Sequence, residues 1–122
     1  MAKRILVVED NDLNRKLFGD LLVAKGFDVE TLADGHAVIE RARDFAPDLV
    51  IMDIQLPNIS GLELIEALKG DETLAQIPVL AVTAYAGKGD EERIREAGAE
   101  GYLAKPVSIT PFLLAVGKLL PA

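Results

Sequence analysis

The stretch Asp48-Leu49-Val50-Ile51-Met52-Asp53-Ile54-Gln55-Leu56-Pro57-Asn58-Ile59-Ser60-Gly61 decides how the chain folds. Leu49 to Met52 is a short unbroken apolar run, the pattern of a parallel strand buried on both faces. Asp53 stands at the last step of that run, and so at the carboxyl end of the strand. In an open α/β sheet that edge is where ligands bind. Pro57 and Gly61 then break the chain into a loop before the next helical pattern begins. Taken alone, such an aspartate is equally well explained as a solvated loop residue or a helix cap. The reading therefore turns on what the other strands end in.

Upstream, Ile5-Leu6-Val7-Val8 is a second run of the same kind, and it too ends in acid, at Glu9-Asp10. Asn11 or Asp12 can cap a helix running to about Lys25, with Gly26 placed as its stop. Leu13, Leu17, Phe18, Leu21 and Leu22 spread over about half of that helix, wider than a core-facing stripe, so one edge of the arc is expected to stay exposed. Val29 to Leu32 is a weaker strand. Asp34-Gly35 turns into a helix carrying Ala37, Val38, Ala42 and Phe45, which Pro47 closes.

Downstream of Gly61, the residues Leu62, Leu64, Ile65 and Leu68 mark a helix ending near Gly70, and Asp71 to Gln76 reads as a polar connection. Ile77 to Val82 is a fourth strand, with Pro78 near its start where a missing N–H is tolerated. It leads into Thr83-Ala84. Lys88 to Ala97 is a charged helix with little besides Ile94 to bury, stopped by Gly98. Gly101 to Ala104 is a fifth strand ending at Lys105-Pro106. Ser108 can cap a last helix with Phe112, Leu113, Val116, Leu119 and Leu120 on one side, and Pro111 is acceptable in its first turn.

Five strands alternating with five helices predict the α/β class: a doubly wound, five-stranded parallel sheet, flavodoxin-like, with strand order 2-1-3-4-5 and right-handed crossovers. Strands one and three flank the switch point of that order, and they are the two that end in acid. Glu9, Asp10, Asp53, Thr83 and Lys105 should then converge on one rim. Three carboxylates held together raise at least one pKa unless a cation intervenes. A hard divalent ion with oxygen ligands, Mg²⁺ above all, suits such a set. Lys105 adds a point charge for an anion, and Thr83 adds a hydroxyl donor. An acidic nucleophile, a metal, a lysine and a hydroxyl are the parts needed to hold a phosphoryl group in transfer.

Composition narrows the alternatives. The 122 residues suffice for one domain with a real core, and a chain that is 50% hydrophobic is expected to be compact. A net charge of −7 argues against nucleic acid and against an anionic membrane surface as partners. The absence of cysteine excludes disulfides, thiol catalysis and cysteine-ligated metals. The apolar run at Ile5 is too short for a signal peptide, and nothing approaches a membrane span, so a cytoplasmic location is expected.

On Val8-Glu9-Asp10-Asn11, Met52-Asp53-Ile54-Gln55-Leu56-Pro57, Val82-Thr83-Ala84 and Ala104-Lys105-Pro106, the chain resembles the receiver domain of two-component response regulators over essentially its whole length. The resemblance implies that Asp53 is a phosphoacceptor served by a sensor histidine kinase or a phosphotransfer protein. It implies Mg²⁺ held by Glu9, Asp10, Asp53 and the main-chain carbonyl of Gln55. Thr83 and Lys105 would contact the phosphoryl oxygens, Tyr102 would be the aromatic that turns inward with Thr83, and the Lys105-Pro106 bond would be cis. The exposed side of the first helix, with Leu13 and Leu17, would dock the kinase. Such a domain is not itself an enzyme. A single receiver domain over residues 1–122 is expected, with no output domain, so that signalling passes through contacts with a downstream protein.

The segments Glu9 to Asn14, Lys16-Leu17-Phe18, Ile59 to Glu63 and Lys88 to Arg95 bring the resemblance nearer to single-domain members that act in cell-division control. Tyr85, where those members usually carry Phe, departs from it. Among rivals, an Asp-nucleophile phosphohydrolase usually places a second Asp two residues after the nucleophile, and here that position is Gln55. A flavin carrier would want hydroxyl- and glycine-rich phosphate loops. Gln55 and Tyr85 border the path of a hydrolytic water, and neither is a carboxylate able to act as its base, so a long-lived phosphorylated state is expected. His36 reads as a solvated helix-start residue. The charged run Lys88 to Glu96 reads equally as a solvated face or a partner surface.

Overall fold

The computed structural model describes residues 2–84 and 87–120. In chain order its elements are β1 (Arg4–Val8), α1 (Asp12–Ala24), β2 (Asp28–Leu32), α2 (Val38–Phe45), β3 (Leu49–Asp53), α3 (Gly61–Gly70), β4 (Val79–Thr83), α4 (Lys88–Ala97), β5 (Gly101–Ala104) and α5 (Ile109–Leu119). The strands form one sheet in the order β2-β1-β3-β4-β5, every neighbouring pair parallel. This is the doubly wound α/β architecture expected from the alternation of elements.

Both faces of the sheet are covered, which is why β3 and β4 are apolar up to their last residue and β1 is apolar after Arg4. Because side chains alternate across a strand, Leu6, Val8, Val50, Met52, Val79 and Ala81 pack with Val38 and Ala42 of α2, Leu64, Ile65 and Leu68 of α3, and Ile94 of α4. Ile5, Val7, Leu49, Ile51, Leu80 and Val82 face the other way, against Phe18 and Leu22 of α1 and Phe112 and Val116 of α5. There the rings of Phe18 and Phe112 stack with centroids 4.8 Å apart.

Helix α1 starts where the Asn11 side chain accepts the Asn14 N–H, and ends before Gly26, whose φ of 92° only glycine adopts freely. Its apolar arc is divided as expected: Phe18 and Leu22 are buried, while Leu13 is 80% exposed and Leu17 40%. Two stretches differ from the sequence expectation. The connection from Asp71 to Gln76 is not wholly polar in its packing, since Leu74 lies in the core at 2% exposure. Strand β4 begins two residues later than Ile77, because the Ile77 N–H is taken by the Leu74 carbonyl of that turn at 3.0 Å. Ser108 does stand at the N-cap of α5, but its side chain makes no capping bond.

The amino ends of the strands are tied by polar groups. The Arg4 N–H donates to Asp48 Oδ2 at 2.8 Å and its guanidinium to the Phe45 carbonyl at 2.8 Å. Lys69, near the end of α3, donates to the Ile77 carbonyl at 2.8 Å and to Glu100 Oε2 at 2.6 Å, and Glu100 Oε1 accepts the Val79 N–H at 2.8 Å. Among the described residues no helix is long and apolar enough to cross a membrane.

Candidate functional site

At the opposite edge, the carboxyl ends of β1, β3, β4 and β5 carry the polar residues. Glu9, Asp53 and Thr83 are buried there, while Asp10 is exposed beside them. Carboxylate oxygens of Glu9, Asp10 and Asp53 all lie within 4.8 Å of one another. Lys105, just past β5, reaches across the rim to place Nζ 2.8 Å from Glu9 Oε1 and 3.2 Å from Asp53 Oδ2. Four separate strand ends therefore meet over Asp53. The Lys105-Pro106 bond is cis.

The loop after β3 is folded tightly onto the strand. Asp53 Oδ1 accepts the Gln55 N–H at 3.0 Å, and the Gly61 N–H returns to the Ile54 carbonyl at 3.0 Å. A Cβ at position 61 would run into the Asp53 carbonyl oxygen and lie 2.7 Å from Ile54 Cα, so only glycine lets α3 begin this close to the site. Asn58, at φ 70°, makes the turn on the way; its short polar side chain suits that conformation better than most.

Electrostatics set the carboxylates apart. Burial, reinforced by the hydrogen bond and the charge of Glu9, pushes the Asp53 carboxyl up to about 8, against the opposing pull of the Gln55 N–H and Lys105. For Glu9, burial also pushes upward, but its hydrogen bonds with Asp53 and Lys105 outweigh it and hold the carboxyl below its ordinary value. Burial would lower Lys105, yet Glu9 and Asp53 together keep the ammonium above its ordinary value. Against the three acids of the rim Lys105 sets a single ammonium, its Nζ 2.8 Å from buried Glu9 Oε1. The donor set is all oxygen. Glu9, Asp10 and Asp53 thus fit a hard divalent cation, whose charge would counter the burial and the neighbouring Glu9 that raise Asp53.

Two contributions were not read from the sequence. Arg15 donates to the Glu9 carbonyl at 3.0 Å and pairs with Asp12 at 2.5 Å, so it clamps the acidic turn after β1. The side chain of Gln55, singled out only for its carbonyl and its place on the water path, bridges to β4: Nε2 donates to Thr83 Oγ1 at 2.5 Å and Oε1 accepts the Ala84 N–H at 2.8 Å. Tyr102 lies on β5 beside Ala81, partly buried against the core that α3 and α4 cover. Tyr85, the other expected guard of the water path, falls outside the described residues. His36 is exposed, its N–H held by Asp34 Oδ1 at 2.9 Å.

The family profile of the response regulator receiver domain matches residues 5–116. The polar-differentiation response regulator DivK of Brucella ovis is 50% identical over 120 residues, covering 98% of each chain. Among solved structures, the chemotaxis response regulator CheY4 of Vibrio cholerae superposes with a TM-score of 0.92 at 26% identity, over 98% of this chain and 100% of that one. The receiver domain of a sensor histidine kinase from Pseudomonas aeruginosa, with a magnesium ion coordinated in its active-site cleft, gives 0.88 at 30% identity, with 98% of both chains covered. Shared descent explains why four strand ends carry these particular groups: the chain belongs to the response regulator receiver domain family.

Proposed function

We propose that Asp53 accepts a phosphoryl group from the phosphohistidine of a sensor kinase or phosphotransfer protein, and that the phosphorylated domain signals by contacts with a downstream protein. The observation that carries this reading is Lys105 Nζ standing between Glu9 and Asp53 at 2.8 and 3.2 Å, on a rim where strand ends bring acid, hydroxyl and ammonium together. In the transfer, an Asp53 oxygen bonds to phosphorus as the P–N bond breaks, and the imidazole departs with that electron pair. Lys105 is placed to meet the charge of the phosphoryl oxygens, and Thr83 offers its hydroxyl from the end of β4. Tyr102, on the neighbouring strand, is the aromatic proposed to turn inward as Thr83 moves.

Glu9, Asp10 and Asp53, with the Gln55 main-chain carbonyl, would hold Mg²⁺, which when bound supplies the positive charge that Lys105 alone does not. The magnesium-bound receiver of Pseudomonas aeruginosa supports that assignment. Likeness to the polar-differentiation response regulator DivK supports a role in cell polarity and division, which we place in the cytoplasm. Leu13 and Leu17, exposed on α1, are the apolar residues offered to the kinase.

Acetyl phosphate with Mg²⁺ tests the reading. One phosphoryl group should appear on Asp53 by mass spectrometry, and Asp53→Asn, of the same shape but without the nucleophile, should take none while keeping its circular dichroism spectrum. Label at another residue would displace the assignment. Repeated turnover of phosphate esters would identify a hydrolase instead.

A further inference from the structure

The side chain of Gln55, just past the end of β3, bonds to two residues at the end of β4. Asp53 lies beside Val82 in the β3–β4 register, so Thr83 and Ala84 are one and two residues past its neighbour. Ala84, Gln55 and Lys105 line the same cleft as Asp53. A phosphoryl group on Asp53 brings three strongly accepting oxygens into that cleft, and Lys105 is a single point of positive charge. The end of β4 presents the Thr83 hydroxyl and the Ala84 N–H. One carboxamide holds both in place: the Thr83 oxygen accepts from Gln55 Nε2 at 2.5 Å, and the Ala84 N–H donates to Gln55 Oε1 at 2.8 Å.

We infer that the Gln55 carboxamide is a latch, a positioning residue that holds Thr83 and Ala84 in their unphosphorylated arrangement and must release both before they turn to the phosphoryl oxygens. The inference rests on the reading of Asp53 as phosphoacceptor and adds to it a residue that sets how readily the domain takes its phosphorylated form. Two net hydrogen bonds amount to roughly fivefold to a hundredfold in the balance between the two arrangements. The main-chain carbonyl of Gln55 is untouched by side-chain substitution, so removing the amide leaves that oxygen in place.

Gln55→Met keeps the length and bulk of the side chain and removes both ties; Gln55→Ala removes the bulk as well. The probe is beryllofluoride with Mg²⁺, a phosphoryl mimic, titrated by NMR against the parent and both variants, with amide exchange at Ala84 measured without the mimic. The latch predicts faster Ala84 exchange in both variants, and half-saturation at roughly fivefold to a hundredfold lower mimic concentration. Unchanged or weaker binding in the variants, with the parent responding, overturns the latch and leaves the phosphoacceptor standing; this is the outcome if the amide instead helps to hold the phosphoryl group. Tighter binding in Gln55→Ala alone overturns it too, because bulk and not the ties would be at issue, as does unaltered Ala84 exchange. A parent that neither binds the mimic nor is labelled by acetyl phosphate overturns the reading of Asp53, and the latch with it.

Discussion

Asp53 and Asp71 each close an element, and their surroundings move their carboxyls in opposite directions. Asp53 is buried beside another carboxylate and is pushed up to about 8. Asp71, just past α3, accepts the Thr73 hydroxyl at 2.6 Å and the Thr73 N–H at 2.9 Å, and pairs with Arg43 at 2.5 Å. The Thr73 hydroxyl first, then Arg43, lower its carboxyl to about 2. A depressed carboxyl stabilises the fold fully above its unfolded value of 3.8 and loses that contribution as pH falls through about 2. The gap in urea midpoint between the parent and Asp71→Asn should therefore be constant above about pH 4 and close toward pH 2. An invariant gap across that range would remove Asp71 from the acid response. This motif, like the Arg15 clamp and the Gln55 bridge, was not legible in the sequence. Each depends on where a flexible polar side chain ends after two loops have met, and hydrophobic period carries no information about that.

Helix α1 shows what period does carry. An apolar arc wider than one stripe predicts an exposed edge, and Leu13 and Leu17 occupy it. Leu17 also lines a groove with Phe18, Pro106 and Val107, next to Lys105 and so next to the cleft. Leu17→Ala should change stability by no more than about 0.5 kcal/mol, as expected of an exposed position. It should slow phosphotransfer from the partner kinase while leaving labelling by acetyl phosphate at the parental rate. A large fall in melting temperature would place Leu17 in the core instead. The strand runs were legible for a related reason: covered on both faces, β3 and β4 admit no polar residue before their last step and β1 none after Arg4. Leu74 was hidden because one apolar residue inside a polar turn has no period to reveal its burial.

One sheet serves two cores, so damage to either face is felt by the same strands. Phe112 is fully buried and stacks on Phe18. Phe112→Ala should cost about 3–5 kcal/mol, a large share of the roughly 5–15 kcal/mol that holds a domain of this size. Chemical denaturation would measure it, and a loss below about 1 kcal/mol would show that the face repacks. The ties of Arg4, Lys69 and Glu100 sit at the other end of the strands from Asp53. The domain thus has a fastened floor and an editable rim. Outward-facing residues of the rim can be substituted at little cost to the strands, because the floor keeps them in step. What the cleft meets and what holds the sheet together are separate problems, solved at opposite ends of the same strands.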